Sequence, residues 1–391
     1  MINTILHNLF KQISIQWNMK KTKKAGKLNV FINPGVHPQF REITDLPPKN
    51  VKYIYAEAKG DHNSNKKRRF REIAANLHRT GFPRMTFVKN AKKYDLLHMT
   101  RGILPFNRKP WVVDLESAAA FSGLDWDYLK KPMMQKIIRR FLLSPYCKKI
   151  LPQSEAAKRS LLENLDCSGF EHKIETLYLA YGTTKLKRKE SDTVRISFIG
   201  KGFYEKGGND LHEAFKILNK KYKISLKYKG DVPEDKKLKL PNVTYLQNIP
   251  DPKKFYEEIF GDCDIYVQPT IFDSFGVSIL EAMSTGLPIV CTDDFTLPEL
   301  VKDGHNGFLV KSHAHWYDHR FALHKFWTDL VPEPHPETVK ELVEKISILI
   351  ENKQLREEMG RNSFKIVESG TFSIKERNKQ LRKIYEEAIS G

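Results

Sequence analysis

The sequence predicts an α/β protein built from two doubly wound parallel-sheet domains, and three observations carry that expectation. Short apolar, β-branched runs recur along the chain with segments of helical spacing between them, the order that places helices on both faces of a parallel sheet. The 391 residues exceed what one core organises, since single hydrophobic cores stop growing at roughly 250–300 residues. A polar, charged stretch at 181–193, "YGTTKLKRKESDT", separates the two sets of runs as a linker and hinge would.

In the first half, "LNVFIN" (28–33), "YIYA" (53–56), "MTFV" (85–88), "DLLHM" (95–99), "PWVVDL" (110–115) and "IETLYL" (174–179) read as strands. Between them "KKRRFREIAANLHR" (66–79) and "SEAAKRSLLENL" (154–165) have helical spacing, the second with Ser154 placed as an N-cap. The second half repeats the pattern with "VRISFI" (194–199), "ISLKYK" (224–229), "VTYL" (243–246), "DIYVQ" (264–268), "PIVCT" (288–292) and "GFLV" (307–310). The expected division is a first domain over 1–185, a second over 186–370, and a helix over 371–391 packing back on the first domain.

The net charge of +19 is uneven. Residues 1–190 hold 37 Lys and Arg against 16 Asp and Glu, while the remainder holds 29 against 31. The excess suggests that one domain faces a polyanion, either nucleic acid or an anionic membrane surface, although a basic and otherwise inert surface has the same composition. No run approaches the ~18–20 apolar residues that span a bilayer, and the first residues lack the cleavage site of a secretory signal. Cys147, Cys167, Cys263 and Cys291 are scattered, which argues against a disulfide framework or a zinc site. The expected setting is reducing and cytoplasmic.

Doubly wound sheets bind ligands at the carboxyl ends of their strands, so the loops after the strands are where chemistry is sought. After "VRISFI" comes "GKGFYEKGGNDLHEAF" (200–215). Gly200 and Gly202 let backbone approach a ligand closely, a helix starts near Asn209, and Lys201 and Lys206 could reach a diphosphate. The spacing is neither a Walker loop nor G-x-G-x-x-G, because Gly208 stands where the lysine would be and Glu205 where the last glycine would be. On its own such a stretch is more often a plain turn with solvated lysines than an anion site.

"CDIYVQPTIFDSFGVSILEAMSTGLPIVCTD" (263–293), following "FIGKGFYEKGG", resembles the C-terminal domain of glycosyltransferase family 4 (glycosyl transferases group 1), a retaining family with the GT-B fold of two Rossmann-like domains facing a cleft. Asp273, seven intervening residues and Glu281 match the family's carboxylate pair, with Phe275, Gly276, Ala282, Met283, Gly286 and Pro288 in matching places. The resemblance implies that Glu281 accepts from the ribose hydroxyls of a nucleotide and that Asp273, one methylene shorter than the family's usual Glu, contacts the donor sugar. It implies further that Lys201 and Lys206 neutralise the leaving diphosphate, that the N–H groups of Ser274, Phe275, Gly276 and Val277 hold sugar or phosphate, and that backbone at Asn248 and Ile249 meets the base. A helix starting near Val277 would open its amino end there. Read without the family, Asp273 is a cap and Glu281 a solvated helix residue.

In the first half the resemblance is weaker. "PWVVDLESAAAF" stands where many members carry a His near the reaction centre, and this chain offers Asp114 and Glu116 there, Glu116 nearest the His position. Glu116 could contact acceptor or donor, act as a base, or belong to a strand-end network. The basic runs at 20–27 and 66–71 and the apolar stripe Ile2, Ile5, Leu6, Leu9, Phe10, Ile13 could face anionic lipid, placing the chain at the inner face of a membrane. Core packing of the stripe fits as well. His313, His315, His319 and His324 have no Cys partner to favour a metal reading. The triplets Asp125–Asp127 and Asp262–Asp264 are chance matches to a metal motif of another fold.

The resemblance thus implies a retaining transferase that moves a sugar from a UDP- or GDP-sugar to a hydroxyl of a glycan or lipid-linked acceptor, without a metal or other cofactor, in assembly of a surface polysaccharide, glycolipid or glycoprotein. Other readings are a GT-B epimerase or phosphorylase, an inactive scaffold, or a nucleic-acid-binding protein. Against the last, no nucleic-acid motif is present.

Overall fold

The computed structural model describes residues 27–33, 41–55, 83–246, 249, 251–313 and 333–390. The stripe at 2–17, the basic runs up to 26 and at 66–71, the helix read at 66–79, Asn248 and His315, His319 and His324 lie outside the described residues. No helix among the described residues is long and apolar enough to cross a membrane.

Two sheets organise the chain. The first contains β1 (Leu28–Ile32), β2 (Val51–Tyr55), β4 (Leu96–Met99), β6 (Trp111–Leu115) and β7 (Cys147–Pro152), all parallel in the order β2-β1-β4-β6-β7. The short strands β3 (Met85–Thr86) and β5 (Leu104–Pro105) pair with each other outside that sheet. β4 and β6 are wholly buried, as expected of central parallel strands covered by helices on both faces.

The second sheet holds β8 (Val194–Ile199), β9 (Ile224–Lys229), β10 (Val243–Tyr245), β11 (Ile265–Gln268), β12 (Ile289–Thr292) and β13 (Gly307–Val310). Its order is β10-β9-β8-β11-β12-β13, all parallel, the dinucleotide-fold order. The winding reverses between β8 and β11. Loops leaving those two strands diverge to opposite faces of the sheet and open a crevice at their carboxyl ends.

Two sequence expectations are corrected. "IETLYL" is not a strand: only Ile174 bridges Ile150, and the N–H groups of Glu175 and Leu177 reach Ile150 O and Pro152 O before the chain departs. It departs because Tyr178, Leu179 and Tyr181 pack in the second domain's core. The polar stretch 181–193 is not a free linker, since Thr184 N–H donates to Ser284 O at 3.0 Å and Arg188 to Thr285 O at 2.7 Å at the end of helix Val277–Ser284.

Helix Ile374–Ser390 buries Leu381, Ile384, Tyr385 and Ala388 against Val30, Ile32, Val51, Val112 and Leu151 of the first sheet. The second domain also sends Ile271 and Phe295 into the first domain's largest cluster. At the same junction, Glu299 accepts the N–H groups of Glu155 and Ala156 at 2.9 and 2.7 Å, opening helix Glu155–Asn164. Ser154 caps that helix by accepting Ala157 N–H at 2.9 Å.

Candidate active site

The loop after β8 and the loop after β11 meet at the switch point. Gly207 has φ +70°, and a Cβ there would lie 1.8 Å from Pro269 O, so only glycine allows the two backbones to approach this closely. Glu205 O then accepts Ile271 N–H at 3.0 Å and Phe272 N–H at 3.2 Å. The expected phosphate loop is thus tied by its own backbone to the carboxylate-bearing loop. Helix Gly208–Leu218 follows directly.

Lys206 and Asp273 are paired. The Lys206 ammonium donates to Asp273 Oδ2 at 2.8 Å and to Phe272 O at 2.7 Å. Asp273 Oδ1 accepts Gly276 N–H at 2.8 Å and Phe275 N–H at 3.2 Å. Burial pushes the Asp273 pKa up, but the Lys206 charge and these bonds outweigh it and hold the carboxyl below its ordinary value. Asp273 therefore closes the turn ahead of the helix and does not cap it, since the N-cap is Gly276 and among the described residues no side chain bonds the helix's first-turn N–H groups. The N–H groups of Phe275 and Gly276, expected to face a ligand, face Asp273 instead.

Helix Val277–Ser284 opens after Gly276, which sits at φ +86°. Its half-buried positions are Val277, Ser278 and Glu281, one face at i, i+1 and i+4. The first-turn N–H groups from Val277 onward point out of the helix end by construction. Glu281 Oε1 accepts the Tyr181 hydroxyl at 3.1 Å. Ser278 and Tyr266 both donate to Gln268 Oε1, at 2.6 and 2.7 Å, fixing the floor beneath that face. Ser274 uses its carbonyl to accept Thr296, and Phe275 is core.

Lys201 is exposed, and no ion pair holds it among the described residues. Gly200 packs under the Lys206 stem and Gly202 under the Glu205 carboxylate. Beyond this loop, at the carboxyl ends of β8, β9 and β10, a cavity of about 670 Å³ is lined by Phe203, Tyr204, Lys229, Gly230, Asp231 and Leu246 among others. Half-buried Ile249 is three residues past Leu246.

Across the junction, Glu116 follows β6 and accepts Arg101 Nη2 at 3.1 Å. Arg84 stands beside the same pair; burial lowers its pKa, the Arg101 charge adds to that, and Glu116 opposes both. Asp114 is structural: Oδ1 accepts Arg101 N–H at 2.9 Å, and Oδ2 lies 3.2 Å from His98 Nε2. His98 Nδ1 is 2.5 Å from the Tyr385 hydroxyl, which is 3.0 Å from that of Tyr53.

The other tempting clusters have structural roles. Asp125 caps helix Trp126–Leu129 through Tyr128 N–H, and Asp262 and Asp264 both bind Arg195. His313 stacks on His335 beside Asp210. Among the described residues no group of three or more His, Cys, Asp or Glu could hold a metal ion. Sequence reasoning missed Tyr181 and Arg101, the partners of Glu281 and Glu116; only the "RG" after β4 hinted at the left-handed turn that Arg101 adopts at φ 55°.

Residues 184–327 match the family Glycosyl transferases group 1. The chain is 27% identical over 189 residues to the capsular polysaccharide biosynthesis glycosyltransferase CapM of Staphylococcus aureus, a match covering 46% of this chain and 42% of that protein. It is 25% identical over 378 residues to the uncharacterized glycosyltransferase MJ1069 of Methanocaldococcus jannaschii, covering 90% of this chain and 84% of that one. In three dimensions it is similar to Anabaena Alr3699/HepE, solved in complex with UDP and glucose, at TM-score 0.60 and 15% identity over 92% of this chain and 99% of that one. The fold is therefore GT-B, and the group 1 pattern falls on the stretch that holds both converging loops and Glu281.

Proposed function

We propose that the chain is a retaining glycosyltransferase that takes a sugar from a nucleotide diphosphate donor and attaches it to a hydroxyl of a glycan or lipid-linked acceptor. The observation that carries this reading is the convergence of the 200–207 and 270–276 loops at the switch point, with Glu281 one turn into the helix that opens there. HepE, of the same fold, binds UDP and glucose, and CapM is named for capsular polysaccharide biosynthesis; both favour a nucleotide-sugar donor and a polysaccharide pathway.

In this mechanism the donor diphosphate lies over the first turn of helix Val277–Ser284, with Lys201 and Lys206 as its counter-charges. Glu281 accepts from the ribose hydroxyls on the helix face it shares with Ser278. The base extends past Leu246 and Ile249 toward the cavity beneath Lys229. Asp273 has acceptor capacity left on Oδ2 for one sugar hydroxyl while keeping Lys206. The bond between the anomeric carbon and the phosphate oxygen breaks, the electron pair leaves with the diphosphate, and the acceptor oxygen bonds the same face of that carbon. The acceptor proton passes to the departing phosphate oxygen. No metal enters, because the two lysines and the helix end meet the leaving charge. Glu116, held by Arg101, orients the acceptor or donor from the first domain.

Calorimetric titration with UDP and GDP tests the reading. Glu281→Ala should weaken nucleotide binding by about a hundredfold or more, the worth of two hydrogen bonds to a charged acceptor. Binding of neither nucleotide by the wild type would overturn it. Donor hydrolysis across nucleotide sugars then identifies the sugar, and a requirement for phosphate would favour a phosphorylase.

A further inference from the structure

Helix Pro132–Leu143 in the first domain buries Met134, Ile138 and Leu142 and leaves Met133, Lys136 and Arg140 exposed. Met133, Ile137 and Phe141 follow one another at steps of four and form a strip along it. Phe141 meets Phe106 edge to face at 5.5 Å. Phe106 in turn lies beside the Phe87 segment: its N–H donates to Thr86 O at 2.9 Å, and Asn107 holds Val88 N–H and O at 2.8 and 3.0 Å. Phe87, Phe106 and Met133 are 66%, 57% and 58% exposed. Single exposed apolar residues need no account, but a contiguous strip of large ones marks an interaction surface.

The exposed charge around the strip that no ion pair among the described residues holds is positive. Residues 129–153 contain seven Lys and Arg and no Asp or Glu. Arg139 is bound by Asp166 and Lys149 by Glu175. Lys89, Arg108, Lys130, Lys136 and Arg140 are exposed, and among the described residues no carboxylate pairs with them. The strip runs along the side of a helix whose other side, Met134, Ile138 and Leu142, is buried in the domain. Apolar knobs ringed by unpaired cations match the boundary between anionic headgroups and acyl chains, where the knobs insert and the cations meet phosphates.

We infer that the face formed by helix Pro132–Leu143 and the Phe87 and Phe106 loops docks on an anionic lipid bilayer. The helix runs back from the carboxyl edge of the first sheet toward the amino end of β7, so its Met133 end lies at the edge that carries Glu116. Docking would bring the cleft to the membrane plane, where a lipid-linked acceptor resides. The inference stands apart from the donor assignment, because its readout contains no nucleotide sugar.

Co-sedimentation of the full chain tests it, with vesicles of phosphatidylcholine alone and with vesicles one third phosphatidylglycerol. The wild type should pellet with the anionic vesicles and stay in solution with the neutral ones. Lys136→Glu with Arg140→Glu, both at exposed positions, should lower the partition coefficient about tenfold or more. Phe106→Ser with Met133→Ser should lower it comparably. A second readout avoids any folding defect in those variants: the four described cysteines are buried, so Met133→Cys can be labelled with an environment-sensitive dye, whose emission should shift to the blue on anionic vesicles. Wild-type partitioning by the variants, or vesicle binding without a dye shift, would place the contact elsewhere and overturn the inference. So would a single-stranded oligonucleotide that displaces the vesicles and loses its own affinity in the same variants, which would make the face a nucleic-acid surface.

Discussion

Glu299, in the second domain, accepts the backbone N–H of Ala156, in the first, at 2.7 Å, and so caps a helix to which it is not connected. Its other oxygen takes Glu155 N–H at 2.9 Å and the Tyr178 hydroxyl at 2.8 Å, while Thr296 bonds the Ser154 hydroxyl beside it. Two orphan donors of this helix, at 155 and 156, are thereby satisfied by the other domain, while Ala157 N–H is satisfied by Ser154 within its own. Glu299→Ala should cost about 1–2 kcal/mol, the worth of an N-cap. It should also speed hydrogen exchange at the amides of 155 and 156 while leaving the rest of helix Glu155–Asn164 protected. Unchanged exchange there would mean that the contact is not made in solution.

The Lys206–Asp273 pair sits between surface and core, with side chains 21% and 15% exposed. Removing one partner should therefore cost about 2 kcal/mol, between the worth of an exposed pair and a buried one. The pH dependence has a definite sign. Asp273 titrates below its ordinary value when folded, so its contribution is present above the unfolded value near ~3.9 and is lost as pH falls through the lower folded value. Asp273→Asn should thus destabilise at neutral pH and approach wild type in acid. A constant gap in urea midpoints across that range would exclude the pairing.

Much of the second domain is legible in the sequence because its information is local. "DIYVQ" and "PIVCT" are continuous apolar runs because β11 and β12 are buried on both faces. The start of the helix at Val277 follows from Gly276, whose left-handed conformation ends the loop. What stays hidden is the partner of each charged group. Lys206 and Asp273 are 67 residues apart, so the sequence shows two ligand-facing groups where the fold pairs them. "IETLYL" has strand composition, yet its aromatic residues are spent on the second domain's core. Glu116 could be placed at the end of β6 but its holder, Arg101, could not, since that depends on the turn anchored by Asp114.

The Tyr385 hydroxyl lies between His98 Nδ1 and the Tyr53 hydroxyl, all three side chains buried in the first domain. Tyr385→Phe keeps the ring that helix Ile374–Ser390 packs on the sheet and removes only the bridging group. It should cost about 2–3 kcal/mol, because two buried polar groups lose their partner. Tyr53→Phe should be milder, and the double variant should cost less than the two singles added, as for residues in one network. Urea midpoints with an unchanged slope measure this; additive effects would show that the hydroxyls do not communicate.

Asp210 opens the helix that follows the 200–207 loop and is buried, with Oδ1 accepting His335 N–H at 2.7 Å. Burial pushes its pKa up to about 6, against the opposing pull of the His335 N–H and ring. A carboxyl raised in the folded state contributes stability below its unfolded value near ~3.9, and that contribution is lost as pH rises through about 6. The wild type therefore holds a costly buried charge at neutral pH. Asp210→Asn keeps an acceptor for His335 and never ionises. The variant should match wild type in acid and exceed it by about 3 kcal/mol above neutrality, the rise occurring between those two values. A difference that stays flat through that interval would mean that burial does not raise the Asp210 carboxyl in the folded chain.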